Sequence, residues 1–136
     1  MTALLRDRLL SISSSTLGQE NDNEETTTTT TTTFRLVDLA TGTADVALQL
    51  AMDIPTATIV GIDPSSNMLQ VGRDKIVAQE LSHRIELVTG DARQLEWESN
   101  SFDGATMAFG IRNVVPQREV ALCEIHRILR PDGILA

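Results

Sequence analysis

LVDLATGTADVALQLA, residues 36–51, decides the fold. An apolar run reaches an acid, Asp38. Five small residues follow, Ala40-Thr41-Gly42-Thr43-Ala44, and then apolar residues recur at helical spacing. A buried strand that turns through one glycine into a helix brings bare backbone and unpaired helix N–H groups to a single point. The acid beside that turn stands ready to meet whatever approaches.

The same texture continues outward from Phe34. FRLVDLA reads as a buried strand and ADVALQLAMD as a helix, with Ala44, Ala47, Leu48 and Ala51 on one face. TATIVGID is the next strand. Pro64-Ser65-Ser66 turns into SNMLQVGRDKIVAQEL, amphipathic through Met68, Leu69, Gly72, Ile76 and Val77. RIELVTGD and SFDGATMAFG are the third and fourth strands. QREVALCEIHRILR is a helix with Val120, Leu122, Ile125, Ile128 and Leu129 inward, stopped by Pro131-Asp132-Gly133. ILA begins a fifth strand, where the chain ends. This alternation predicts an α/β fold, a Rossmann-like doubly wound parallel sheet truncated near its fifth strand. The fourth strand is expected to lack a full partner there and to expose an edge.

Ahead of this core, residues 1–18 form a short amphipathic segment, either a mitochondrial-type presequence or an ordinary helix. Residues 19–33, QENDNEETTTTTTTT, read as a disordered low-complexity linker. Residues 34–136 are the folded core. The chain of 136 residues is long enough for one such domain and too short for two. Its net charge of −8, with no basic patch, argues against a nucleic-acid partner. A single cysteine, Cys123, excludes an internal disulfide and a cysteine-based metal site, and its place between Leu122 and Ile125 predicts a buried thiol. No metal site is expected.

In doubly wound sheets, ligands bind beyond the carboxyl ends of the strands. Asp38, Asp63 and Asp91 close the first three strands and so fall on one rim. Gly42 admits a close approach of ligand to backbone. Asp63, 25 residues after Asp38, is placed to accept from both hydroxyls of a ribose. Asp91 suits an amino group such as the adenine N6, and Asp38 a cationic amine. Acids at the turn repel phosphate, so the set favours S-adenosylmethionine over NAD. A dinucleotide would also want G-x-G-x-x-G, and this turn holds one glycine.

DLATGTAD, VGIDPSSNML, LVTGDARQL, NSFDGATMAFGIRNV and ALCEIHRILRPDGILA occur in this order. Together they resemble the class I S-adenosylmethionine-dependent methyltransferases, and in particular the ubiquinone/menaquinone biosynthesis C-methyltransferase family. Phe109–Val114, FGIRNV, is the family-specific part. The resemblance implies that Thr43 contacts the cofactor from the turn, that Asp63 holds the ribose and that Asp91 and Ala92 flank the adenine. The family often has Ser where Ala108 stands, and Gly where Thr41 and Ala44 stand. It also continues beyond the fifth strand with a substrate lid.

The reaction implied is methylation of a ring carbon of a polyprenylated benzoquinol or naphthoquinol. Arg112 and Asn113 either order the site and touch the quinol hydroxyls or are surface and turn residues. Neither His83 nor His126 reads as the general base, which stays unassigned. Quinone-pathway membership together with a eukaryote-like threonine tract implies, for a eukaryotic chain, the matrix side of the mitochondrial inner membrane, with plastid or cytoplasm as alternatives. It also implies peripheral membrane or biosynthetic-complex association, or a homo-oligomer. Two rival readings stand: a methyltransferase with another small-molecule acceptor, and a truncated, non-catalytic S-adenosylmethionine-binding remnant.

Overall fold

The computed structural model describes residues 1–16, 31–108 and 117–136. Helix α1 spans Thr2–Thr16 and strand β1 Phe34–Leu39. Then come α2 (Asp45–Asp53), β2 (Ala57–Asp63), α3 (Ser66–Ala78), β3 (Ile85–Thr89), β4 (Phe102–Thr106), α4 (Arg118–Ile128) and β5 (Leu129–Leu135). The five strands pair in the order β3-β2-β1-β4-β5, all parallel. The chain leaves β1 toward β2 and β3, then returns past it to β4. The reversal falls between β1 and β4, and a crevice opens there at the carboxyl ends.

Both faces of the sheet are covered, which is why its central strands are apolar throughout rather than alternating. On one face Leu36, Ile59 and Leu87 pack beneath α2 and α3, through Ala47, Leu48, Leu50, Leu69 and Ile76. Helix α1 closes that layer with Leu5 and Leu9, both buried. On the other face Val37, Leu39, Val60, Ile62 and Phe102 pack beneath Ala121, Ile125 and Ile128 of α4. The 33 residues ahead of β1 thus contribute a docked helix. Most of the 19–33 stretch lies outside the described residues, and residues 31–33 have no regular structure.

Five expectations are corrected. Helix α4 ends at Ile128, before Pro131-Asp132-Gly133, and those residues lie inside β5. Between Phe102↔Leu129 and Gly104↔Ile134, β5 spends five residues where β4 spends two, a bulge that takes up the proline and glycine. Strand β4 therefore has neighbours on both sides, and the sheet edges are β3 and β5. The inward stripe of α4 is Ala121-Ile125-Ile128, while Val120 and Leu122 are exposed. Cys123 lies roughly 200° around the helix from Ala121 and is exposed, not buried. In α3 the buried stripe is Leu69-Gly72-Ile76, with Met68 and Val77 outside it.

One cation secures the far end of this frame. Arg84, just before β3, donates to the carbonyl oxygens of Ala51 (2.8 Å), Ile54 (2.8 Å) and Ala57 (3.0 and 2.9 Å). It satisfies carbonyls that the end of α2 leaves over, and its charge suits the negative end of the helix dipole. Replacing Arg84 by Met is expected to lower the unfolding free energy by about 1.5–3 kcal/mol, the range for charge-assisted hydrogen bonds. Lys should not restore it, because a compact ammonium lacks the guanidinium fork. Urea denaturation checks this; an Arg84→Met chain as stable as wild type would contradict it.

Candidate functional site

The rim at the carboxyl ends of β1, β2 and β3 encloses a cleft of 460 Å³. Its floor is the turn after β1. There Ala40, Gly42 and Ala44 all take left-handed backbone angles, with φ of 54°, 56° and 65°. The N–H groups of Thr41, Gly42 and Ala44 are taken up by the Ile62 carbonyl, the Asp63 carboxylate and the Thr41 carbonyl, so the turn is tied down by its own backbone. Only Gly42 takes these angles without strain. A Cβ at Gly42 would also stand 3.0 Å from the Met68 methyl, which covers the turn from α3. Ala44 precedes α2 with no side-chain cap, so the helix N-terminus faces the cleft with N–H groups to spare.

Asp38 does not close β1 but lies one residue inside it, 1% exposed. It accepts from the Thr41 hydroxyl (2.6 Å) and the Thr106 hydroxyl (2.6 Å). One carboxylate thereby ties β1, the turn and β4. Burial pushes its pKa up to about 6, opposed by the two hydroxyls and reinforced by the negative charge of Asp63. Asp63 ends β2 and is buried. Its Oδ2 accepts from the Gly42 N–H (2.9 Å) and its Oδ1 from the Ser65 N–H (2.9 Å), so it holds the first two rim loops together. Each of its oxygens keeps a further acceptor position. Ser65 in turn caps α3 by accepting from the Met68 N–H.

Asp91 lies two residues past β3, in an irregular segment. Its carboxylate accepts from the Arg93 N–H and from the Arg93 guanidinium, which holds it below the usual carboxylate range. Arg93 also donates to the Gln117 side chain (2.8 Å). Ala92 is buried beside it.

All six residues assigned from sequence to the cofactor, Asp38, Gly42, Thr43, Asp63, Asp91 and Ala92, line this one cleft. Ala108 lines it too, so a methyl stands where a serine hydroxyl was the family expectation. Arg112 and Asn113, with the whole of Phe109–Val114, lie outside the described residues. His83 and His126 are exposed, and neither lines the cleft.

Sequence reasoning missed Thr106, Met68 and Arg93. Thr106 carried a readable signal, since a lone hydroxyl at the end of an apolar strand asks for a buried acceptor. Met68 falls off the 69-72-76 stripe, which frees it for the cleft.

A parallel 3-2-1-4-5 sheet with an acid at or near the carboxyl end of each of its first three strands and a glycine turn at the switch point defines a Rossmann-like domain of the class I methyltransferase type. Comparison with known proteins narrows this: the model of the ubiE/COQ5 methyltransferase family matches residues 7–136, and the chain belongs to that family. It is 43% identical over 100 residues to the ubiquinone/menaquinone biosynthesis C-methyltransferase UbiE of Geotalea uraniireducens, covering 73% of this chain and 42% of that protein. It is 43% identical over 102 residues to the demethylmenaquinone methyltransferase of Listeria monocytogenes serotype 4a, covering 74% and 42%. Among solved structures, the [4+2]-cyclase SpnF superposes with a TM-score of 0.69 at 34% identity, over 76% of this chain and 37% of that one. The chain thus spans less than half the length of the relatives it matches.

Asp38 gives the site a measurable signature. Its folded pKa lies above the value of an unfolded aspartate, so the native chain holds an extra proton between about pH 4 and pH 6. Stability from this group is therefore present at low pH and is lost as pH rises through 6. Asp38→Asn keeps the shape and can satisfy both threonines. Relative to wild type it should gain on the order of 2–3 kcal/mol between pH 4 and pH 7. Paired urea titrations across that range test this, and a pH-independent difference would contradict it.

Proposed function

We propose that the cleft binds S-adenosylmethionine, and that the chain belongs to an enzyme methylating a ring carbon of a polyprenylated benzoquinol or naphthoquinol. The observation that carries this is the charge of the cleft. Asp38, Asp45, Asp63 and Asp91 line it, and among the described residues Arg93, already bound to Asp91, is its one basic lining residue. Asp38 is buried with two neutral donors and no ion pair among the described residues. A buried acid without a cation asks for one from the ligand. A nucleoside with an ammonium-bearing tail supplies it, and a pyrophosphate does not.

In this reading Asp63 accepts from the ribose hydroxyls with the acceptor positions left on its two oxygens. Asp91 accepts from the adenine amino group, and Ala92 lies against the ring. Gly42 and Thr43 meet the amino-acid tail, and Asp38 faces its ammonium. Bound there, S-adenosylmethionine offers a methyl on a positively charged sulfur, ready for an electron-rich ring carbon. The work of these residues is to hold and orient it. Arg112 and Asn113 are the proposed contacts to the quinol hydroxyls, and a family resemblance at FGIRNV supports that placement. The names of the two relatives support the quinol as acceptor.

Asp63→Ala is expected to weaken S-adenosylmethionine binding by about 1.5–3 kcal/mol, as for lost charge-assisted hydrogen bonds. Asp91→Ala should cost less, because Asp91 is more exposed and already paired with Arg93. Titration calorimetry on both variants reads this out. An Asp63→Ala chain with wild-type affinity would remove the ribose assignment.

A further inference from the structure

One cation at the turn has no part in the reading above. Lys75 reaches from the last turn of α3 to the first turn of α2. Its ammonium donates to the Asp45 carboxylate (2.8 Å) and to the Thr43 hydroxyl (3.2 Å). The Thr43 hydroxyl donates in turn to the other oxygen of Asp45 (2.8 Å). The three side chains close a ring, and Thr43 and Asp45 both line the cleft. One turn earlier on α3, Gly72 brings the helix directly onto the same place. A Cβ there would stand 3.1 Å from the Ala44 methyl and 3.3 Å from the Thr43 carbonyl carbon. Helix α3 is thus the backing of the turn, and Lys75 fastens it.

Asp45 sits where its charge matters most. It is the first residue of α2, at a helix N-terminus that no side chain caps. Left alone, its carboxylate would occupy the positive end of the helix dipole and repel any second carboxylate. Paired with Lys75 and bonded by Thr43, it is held in one position and its charge is partly offset, although the pair is open to solvent. The pairing holds the Asp45 carboxyl below the usual carboxylate range, first through the Lys75 hydrogen bond and then through Thr43.

We propose that Lys75 is a positioning residue for the carboxylate of the ligand: by holding Asp45 and Thr43 at the start of α2 it keeps that helix end open to a carboxylate-bearing nucleoside. Lys75 does not touch the nucleoside in this account. It sets the preference of the cleft for a ligand with an α-carboxylate over the same ligand without one. The inference rests on the S-adenosylmethionine reading of the cleft and names a determinant within it.

The test compares S-adenosylmethionine with its decarboxylated form, which keeps the adenosine, the sulfonium and the amine. Both are titrated into wild type, Lys75→Met, Lys75→Arg and the double variant Lys75→Met/Asp45→Asn. Wild type should prefer the carboxylate-bearing ligand. Lys75→Met should shrink that preference about tenfold while leaving affinity for the decarboxylated ligand within about threefold. Lys75→Arg, which keeps the charge, should retain most of the preference. The double variant, which removes the repelling acid too, should recover much of it. An equal loss for both ligands means that Lys75 merely holds the fold, and that overturns the proposal, as does an unchanged preference. A wild-type chain that binds neither ligand overturns the reading of the cleft and this inference with it. A wild type that binds both equally overturns the inference alone.

Discussion

The buried carboxylate of Asp38 is the constraint around which the site is organised. It stands inside β1, where the strand pattern calls for an apolar side chain, and it draws a hydroxyl from the turn and another from β4. Those two bonds fix the gap between β1 and β4, the gap where the sheet reverses its winding. An apolar residue there would give a better core, since burial raises the free energy of the ionised group at neutral pH. The acid makes sense as a device for the ligand. It supplies a buried negative charge at the base of the cleft, where a cation gains more from meeting it than in bulk water.

The turn above it spends stability in the same way. Ala40 and Ala44 hold left-handed angles that glycine adopts freely, at a cost of roughly 1–2 kcal/mol each. The turn persists because its surroundings fix it. The Ala44 N–H bonds the Thr41 carbonyl (2.9 Å), the Thr41 N–H bonds the Ile62 carbonyl (3.0 Å) and Asp63 grips the Gly42 N–H. With Gly72 behind it and Met68 over it, the turn is held from β2 and α3 together. The departures from a glycine-rich turn at Thr41 and Ala44 therefore have different meanings. Thr41 adds a donor to Asp38, whereas Ala44 adds strain that packing against α3 absorbs.

The sheet was legible because its strands are apolar runs set between helical stripes, and a parallel sheet covered on both faces demands that texture. The cleft was legible because acids at strand ends share one rim by topology alone. What failed to show were matters of register and phase. The end of α4 was misread because proline and glycine also serve a strand bulge, and only pairing with β4 distinguishes the two. Cys123 was misplaced because the phase of a short helix depends on which face meets the sheet, and alanine at 121 is a weak marker of that face. The docking of α1 through Leu5 and Leu9 could not be read across the threonine-rich stretch. The bond network of Asp38 needed Thr106, which lies 68 residues away in sequence.

The most direct test of the account is a calorimetric titration of the 136-residue chain with S-adenosylmethionine and, separately, with NAD. A cleft in which Asp38 and Asp63 have no ion pair among the described residues should bind S-adenosylmethionine and reject the pyrophosphate of NAD. Binding of NAD as tight as that of S-adenosylmethionine, or no binding of either by a chain that unfolds cooperatively, would contradict it.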